Sequence, residues 1–159
     1  MKSVVCTLFE GNYHHGLAAL SNSLFNNGFR GDLFVGYRGD LPPWANSAYS
    51  NSDLEWDNGK TLKIAEDFKV HFLPIVTDWH LANLKPDFML NLWSSSAKDA
   101  ESIFYFDPDI VIKCSWLFYE KWVNFGVALV HEIISNDCPP NHPKRSIWNE
   151  VIDKIDMKV

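Results

Sequence analysis

The chain alternates short apolar runs with longer segments in which apolar residues recur at helical spacing. Apolar runs of strand length lie at 4–9, 33–37, 68–75, 103–106 and 127–130. Segments with helical spacing lie at 17–25, 85–95, 115–122 and 144–155. Strands and helices that alternate in this way are typical of a mainly parallel sheet with helices on both faces. The pattern therefore predicts an α/β three-layer sandwich.

The segment from Arg38 to Asp67 interrupts this alternation. It is rich in Pro, Asn, Ser, Asp and Gly, which is the composition of loops. The dipeptide Asn58-Gly59 within it favours a tight hairpin turn. We expect a long surface excursion that contains a short hairpin.

Composition and charge limit the size and the partners of the protein. The chain has 159 residues, 47% of them hydrophobic, which is enough for one domain with one core. The formal net charge is -6, and no basic cluster is larger than Lys144-Arg145. Nucleic-acid binding needs a basic surface, so we expect no nucleic-acid partner.

The cysteines and the length of the apolar runs indicate where in the cell the protein is located. Cys6, Cys114 and Cys138 are widely spaced and include no close pair, which argues against a disulfide framework and a zinc site. We therefore expect reduced thiols and a cytoplasmic location. No apolar run approaches the roughly 18 residues of a membrane span, so no transmembrane segment is predicted and any membrane association should be peripheral.

Two carboxylates follow the apolar run Ile103–Phe106 directly, in the sequence Asp107-Pro108-Asp109. Pro108 should bend the chain where the strand ends, so that both carboxylates turn toward one point beyond the sheet edge. Asp-Pro-Asp is also ordinary turn chemistry, and a purely structural role stays open. Like charges placed side by side, however, favour a hard divalent cation such as Mg²⁺ or Mn²⁺.

Several segments together resemble the GT-A fold glycosyltransferases, which form the nucleotide-diphospho-sugar transferase superfamily. The segments are Val5–Phe9 with Tyr13, Lys85–Met89, and Phe104–Asp109 with its strand-borne DxD motif. The resemblance covers about residues 3 to 148 in order. It implies a Rossmann-like GT-A nucleotide-sugar-binding fold over a single domain, residues 1–159.

The resemblance also implies roles for individual residues. In this family the loop after the first strand contacts the nucleoside, which carries over to Thr7, Phe9 and Tyr13. A basic residue before the DxD strand meets the diphosphate, and Lys85 is the matching position. Taken singly, Thr7 and Tyr13 also fit strand-end packing, and Lys85 also fits a solvated helix position.

The DxD motif of the family binds Mn²⁺ or Mg²⁺ together with the donor. Asp109 is then the more direct metal ligand, and Asp107 shares the metal while lying nearer the sugar or ribose. His14 and His15 lie in the loop at the same edge, but a loop histidine is more often a solvent-facing hydrogen-bonding group, so neither is assigned a role. No catalytic base is assigned.

The resemblance divides the chain into a nucleotide-sugar-binding part, residues 1–112, and a shortened acceptor-side part, residues 113–159. Complete GT-A domains continue further after the DxD motif, so we expect a fold that is incomplete at its C-terminus. Apolar surface around 122–130 should then be partly uncovered, which predicts a homo-oligomer or a partner chain.

The predicted function is transfer of a sugar from a nucleotide-diphospho-sugar donor to an unknown sugar, lipid or protein acceptor. One alternative is a non-catalytic fragment that binds a sugar nucleotide. A second is a haloacid-dehalogenase-like phosphatase, because Asp107–Val111 formally matches the nucleophile motif of that class. That motif ordinarily ends the first strand, whereas several strand–helix units precede it here.

Overall fold

A computed structural model describes residues 1–127, 141–143, 146, 150 and 154. The chain divides into two compact units, Met1–Gly126 and Val127–Val159, and the elements below belong to the first. The strands are β1 (Ser3–Glu10), β2 (Gly31–Arg38), β3 (Tyr49–Ser50), β4 (Lys60–Ala65), β5 (Phe68–Pro74) and β6 (Ser102–Tyr105). The helices are α1 (His14–Asn26), α2 (Lys85–Ser94) and α3 (Trp116–Val123), with short 3-10 turns at Gly11–Tyr13, Pro43–Ala45 and Leu81–Leu84.

The described strands form one six-stranded sheet in the order β3-β4-β5-β2-β1-β6. Strands β6, β1, β2 and β5 are parallel to their neighbours in that series, and β4 and β3 add an antiparallel edge. The predicted α/β class with a mainly parallel sheet is confirmed. Strand β1 lies between β2 and β6, so the loops that follow β1 and β6 lie at the same edge.

Helices cover both faces of the sheet because the inner strands are apolar on both faces. On one face Val5 and Phe9 of β1 pack with buried leucines of α1 and with Trp116 of α3. On the other face Cys6 and Leu8 pack with side chains of α2. The α1 leucines are Leu17, Leu20 and Leu24, and the α2 side chains are Phe88 and Leu92.

Most predicted elements match the structure. The runs at 4–9, 33–37, 68–75 and 103–106 correspond to β1, β2, β5 and β6, and the helical segments at 17–25, 85–95 and 115–122 correspond to α1, α2 and α3. The strand predicted at 127–130 and the helix predicted at 144–155 fall mostly outside the described residues. None of the described helices is long and apolar enough to span a membrane.

The excursion at 38–67 contains more sheet than the sequence predicts. A hairpin is present, with Ser50 opposite Lys60, but residues 51–59 join its strands in place of the expected tight turn, and Asn58 within them has a positive φ of 58°. Strand β4 was not predicted, because it lies in a segment of loop composition and only Thr61 of its six residues is buried. It pairs with β5 through the adjacent turn.

A chain of polar side chains, buried at Thr61 and His71, joins this hairpin to the sheet. The Asn51 amide donates to Thr61 Oγ1 at 2.9 Å, and Thr61 Oγ1 lies 2.9 Å from Nδ1 of His71. The other ring nitrogen, Nε2, lies 2.8 Å from Oδ1 of Asp32. The hydrogen bond from His71 lowers the pKa of the Asp32 carboxyl. The chain thus ties β4, β5 and β2 together.

Candidate functional site

A cleft of about 240 Å³ lies beyond the carboxyl ends of β1 and β6. It is lined by Leu8, Phe9, Glu10, Tyr13, His80, Leu81, Ala82, Lys85, Tyr105, Asp107, Pro108 and Asp109. Five of the six residues that the sequence predicts for the site are therefore brought together, and Thr7 is the exception. Ligands of open α/β sheets bind at this edge, where strands end and loops diverge.

The Asp-Pro-Asp turn is fixed from both ends. The amide of Phe106 donates to the carbonyl of Cys6 at 3.2 Å, which continues the pairing of β6 with β1. The amide of Ile110 donates to the carbonyl of Asp107 at 3.1 Å and closes the turn. Pro108 is buried between the two aspartates. The turn therefore holds both carboxylates at the cleft.

Asp107 is held by two neighbours. Its Oδ1 lies 2.6 Å from the Lys85 ammonium and accepts a hydrogen bond from the Tyr105 hydroxyl at 3.2 Å. Burial, and then the nearby Asp107 carboxylate, raise the pKa of Tyr105, so this hydroxyl stays protonated and remains a donor. Asp107 is thus oriented before any ligand arrives.

Asp109 differs from Asp107. Its side chain is exposed, and no hydrogen bond or ion pair of this side chain is found among the described residues. It is therefore the carboxylate at this turn that is free to bind a cation.

An arginine holds Glu10, another residue of the cleft lining. Arg38 Nε donates to Glu10 Oε2 at 2.7 Å, and a second guanidinium nitrogen of Arg38 also pairs with this carboxylate. Its Nη1 donates to the carbonyls of Thr77 and Trp79, each at 3.1 Å. Arg38 therefore neutralises Glu10 and fixes the loop that leads to His80.

His80 is a cleft residue that sequence reasoning missed. Its Nδ1 accepts a hydrogen bond from the amide of Ala82 at 3.2 Å and caps the turn Leu81–Leu84. In the neutral ring the proton is then on Nε2, which can donate to a ligand. The signal available in the sequence was a polar residue directly before a helical segment, but histidine is not among the usual capping residues.

Thr7 lies outside the cleft. Side chains alternate along a strand, so Thr7 shares the face of Val5 and Phe9 that packs against α1. It is fully buried, and its hydroxyl has no hydrogen-bond partner among the described residues. His14 and His15 do not line the cleft either, and their ring centres lie 4.0 Å apart at the start of α1.

The two aspartates provide a limited set of metal ligands. Within the described part of the chain, no group of three or more His, Cys, Asp and Glu side chains is placed to hold a metal ion. Mg²⁺ is commonly held by one or two carboxylates, with water and substrate phosphates completing its shell. Asp107 and Asp109 therefore fit a hard cation that arrives with a phosphate ligand, and they do not form an all-protein metal site.

No protein-family model, no curated protein and no solved structure matches this chain. The function is therefore inferred from the residues of the cleft and from their pattern in the sequence.

Proposed function

We propose that the protein binds a nucleotide-diphospho-sugar in this cleft through Mn²⁺ or Mg²⁺ held by Asp107 and Asp109, and transfers the sugar to a sugar, lipid or protein acceptor. One observation carries the proposal. Both aspartates of the DxD motif, Lys85 and the exposed ring of Tyr13 line a single cleft at the carboxyl edge of a mainly parallel sheet.

The charge of the cleft supports a metal-dependent ligand. Glu10 is paired with Arg38 and Asp107 with Lys85, so Asp109 leaves the described lining with one uncompensated negative charge. A bare diphosphate would be repelled by that charge. A divalent cation held by Asp109 would make the interaction with the phosphates favourable, so nucleotide binding should require metal.

The size of the cleft and its aromatic side chains suit part of a nucleotide sugar. Pockets that enclose a whole ligand usually measure about 300 Å³ or more, whereas this cleft measures about 240 Å³. The diphosphate and one adjoining ring fit, and the remainder of the donor would project from the mouth. Tyr13 is 58% exposed there and offers a face for a base or a sugar to stack on.

Each residue of the cleft has a different part in the transfer of the sugar. When bound, the metal supplies a Lewis acid for the charge that develops on the leaving nucleoside diphosphate. Lys85 supplies a second positive charge for the leaving diphosphate, and the Tyr105 hydroxyl keeps Asp107 oriented. His80 Nε2 can donate a hydrogen bond to a hydroxyl or phosphate oxygen of the donor.

An activity panel tests the proposal. The protein is incubated with UDP- and GDP-sugars in Mn²⁺ or EDTA, and release of the nucleoside diphosphate is measured for wild type, Asp109→Asn and the exposed control Asp57→Asn. We expect metal-dependent release that Asp109→Asn removes and Asp57→Asn preserves. Nucleotide binding in Mn²⁺, measured by calorimetry on the same samples, without release would favour the non-catalytic sugar-nucleotide binder. Absence of both would contradict the proposal.

A further inference from the structure

We propose that the Lys85 ammonium pairs with the Asp107 carboxylate until a metal ion and a nucleoside diphosphate bind together. The metal ion then replaces the ammonium at Asp107, so that metal and diphosphate bind cooperatively. The inference rests on the proposed function, since it concerns the same two aspartates. It assigns Lys85 a second role, in addition to contact with the diphosphate, as the group that keeps the metal from binding alone.

The Lys85 ammonium is held by two groups at once. It lies 2.6 Å from Asp107 Oδ1 and 5.0 Å from the centre of the Tyr105 ring, which is within cation–π range. Both charged side chains are partly buried, with exposed fractions of 33% for Lys85 and 48% for Asp107. The pair is therefore better ordered than a fully exposed ion pair.

The position of Lys85 in α2 makes the lysine depend on a nearby anion. Lys85 is the first residue of the ten-residue helix Lys85–Ser94. The helix dipole disfavours a cation at that end and favours an anion. Asp107 offsets this cost while the cleft lacks a ligand. A diphosphate beside Lys85 would offset it equally well, and it would interact favourably with the helix end itself.

Competition for one carboxylate oxygen follows from these contacts. Asp107 Oδ1 already has two donors, Lys85 and Tyr105, so a metal that arrives alone must displace the ammonium or bear its repulsion. The flexible four-carbon stem of lysine lets the ammonium move to a phosphate oxygen when one is present. Metal and diphosphate should then raise each other's affinity by the same factor, as linkage requires.

The test measures Mn²⁺ binding by the electron paramagnetic resonance signal of the free ion, with and without UDP or GDP. The proteins are wild type, Lys85→Met, and the control Lys98→Met, whose lysine forms a surface pair with Glu55. Lys85→Met should bind Mn²⁺ alone about fivefold more tightly, the upper range for a partly exposed ion pair. Nucleotide should tighten Mn²⁺ binding strongly in wild type and Lys98→Met, and much less in Lys85→Met.

A second readout follows Lys85 directly. Its ammonium should give a slowly exchanging ¹H–¹⁵N signal in the free protein that persists with Mg²⁺ alone and shifts when Mg²⁺ and UDP are both added. Lys85→Met that binds Mn²⁺ no more tightly than wild type, or a lysine signal that Mg²⁺ alone displaces, would overturn the inference. If Lys85→Met binds Mn²⁺ more tightly but neither protein binds nucleotide, the competition between Lys85 and the metal stands, whereas the cooperativity and the proposed function are contradicted.

Discussion

A β-carbon placed on Gly16 would lie 2.5 Å from the carbonyl oxygen of Pro108. The first turn of α1 therefore touches the Asp-Pro-Asp turn with no room for a side chain. This contact fixes the position of the two carboxylates relative to β1 and the helix that follows it. The cleft thus depends on a glycine that takes no part in its chemistry.

Gly16→Ala should destabilise the protein although alanine is the better helix former. Alanine in place of glycine gains about 1 kcal/mol in a helix, but forced overpacking costs about 1–3 kcal/mol, and the contact here is with backbone that cannot rotate away. We expect a lower midpoint of urea unfolding and weaker nucleotide binding.

The control for Gly16→Ala is Asn22→Ala, at an exposed position of the same helix. Alanine is also the better helix former there and meets no close backbone, so this variant should be at least as stable as wild type and bind nucleotide equally well. A variant Gly16→Ala at least as stable as wild type would show that the Asp-Pro-Asp turn can move.

Thr7→Val distinguishes the nucleoside contact that the family resemblance implies for Thr7 from the buried core position that the structure gives it. The Thr7 hydroxyl is buried and has no partner among the described residues, so its replacement by a methyl group should stabilise the fold by about 1 kcal/mol. Because Thr7 does not line the cleft, nucleotide affinity should not change. Urea unfolding and calorimetry on the same sample measure both. Loss of nucleotide binding with unchanged stability would support the nucleoside contact that the family resemblance implies.

The pair of Asp32 and His71 predicts an acid limit to stability. The pKa of Asp32 is lowered from its ordinary value of 3.8 by the His71 hydrogen bond. The stabilisation is therefore fully present above about pH 4 and is lost as the pH falls through the folded pKa. Asp32→Asn should cost about 1 kcal/mol at pH 7, and this difference should shrink below about pH 4.

Urea unfolding of wild type and Asp32→Asn between about pH 2.5 and pH 7 gives the comparison. Asp99→Asn, which removes a weak surface pair with Lys2, should differ from wild type by less than about 0.5 kcal/mol at each pH. A difference between wild type and Asp32→Asn that does not change with pH would show that Asp32 contributes no charge-dependent stability.

The outer side of α3 predicts association with another chain. Leu117 and Phe118 of this helix are more than half exposed, and Phe125 just beyond it is 90% exposed. Exposed apolar side chains grouped in this way indicate a surface that contacts another molecule. Sedimentation velocity at several concentrations should show self-association that Phe118→Glu and Phe125→Glu weaken. A wild-type monomer at all concentrations, with the variants unchanged, would argue against a homo-oligomer.

The sequence predicts the sheet well where strands are buried on both faces. Ser3–Phe9 of β1 is fully buried, and so its run of apolar residues carries a clear signal. Strand β4 has one buried residue and is held by its hairpin partners and by His71, which the local sequence does not reveal. Its presence depends on contacts distant in sequence.

The sequence predicts the cleft residues whose positions follow from the direction of the strands. Parallel strands β1 and β6 place Phe9 and Asp107 at one edge, so the sequence order was sufficient to bring them together. Thr7 faces α1 as Phe9 does, but it lies two residues further from the carboxyl end of β1, so it is buried in the core and Phe9 reaches the cleft. His80 was missed because its position depends on the turn that its own side chain caps.

Calorimetric titration of UDP and of GDP, in Mn²⁺ and again in EDTA, tests metal-bridged donor binding most directly. At least one nucleotide should bind in Mn²⁺, neither should bind in EDTA, and Asp109→Ala should abolish binding while circular dichroism shows an intact fold. Asp57→Ala should bind as wild type does. Equal binding in Mn²⁺ and EDTA, or undiminished binding by Asp109→Ala, would contradict the assignment of Asp107 and Asp109 as the metal-holding pair.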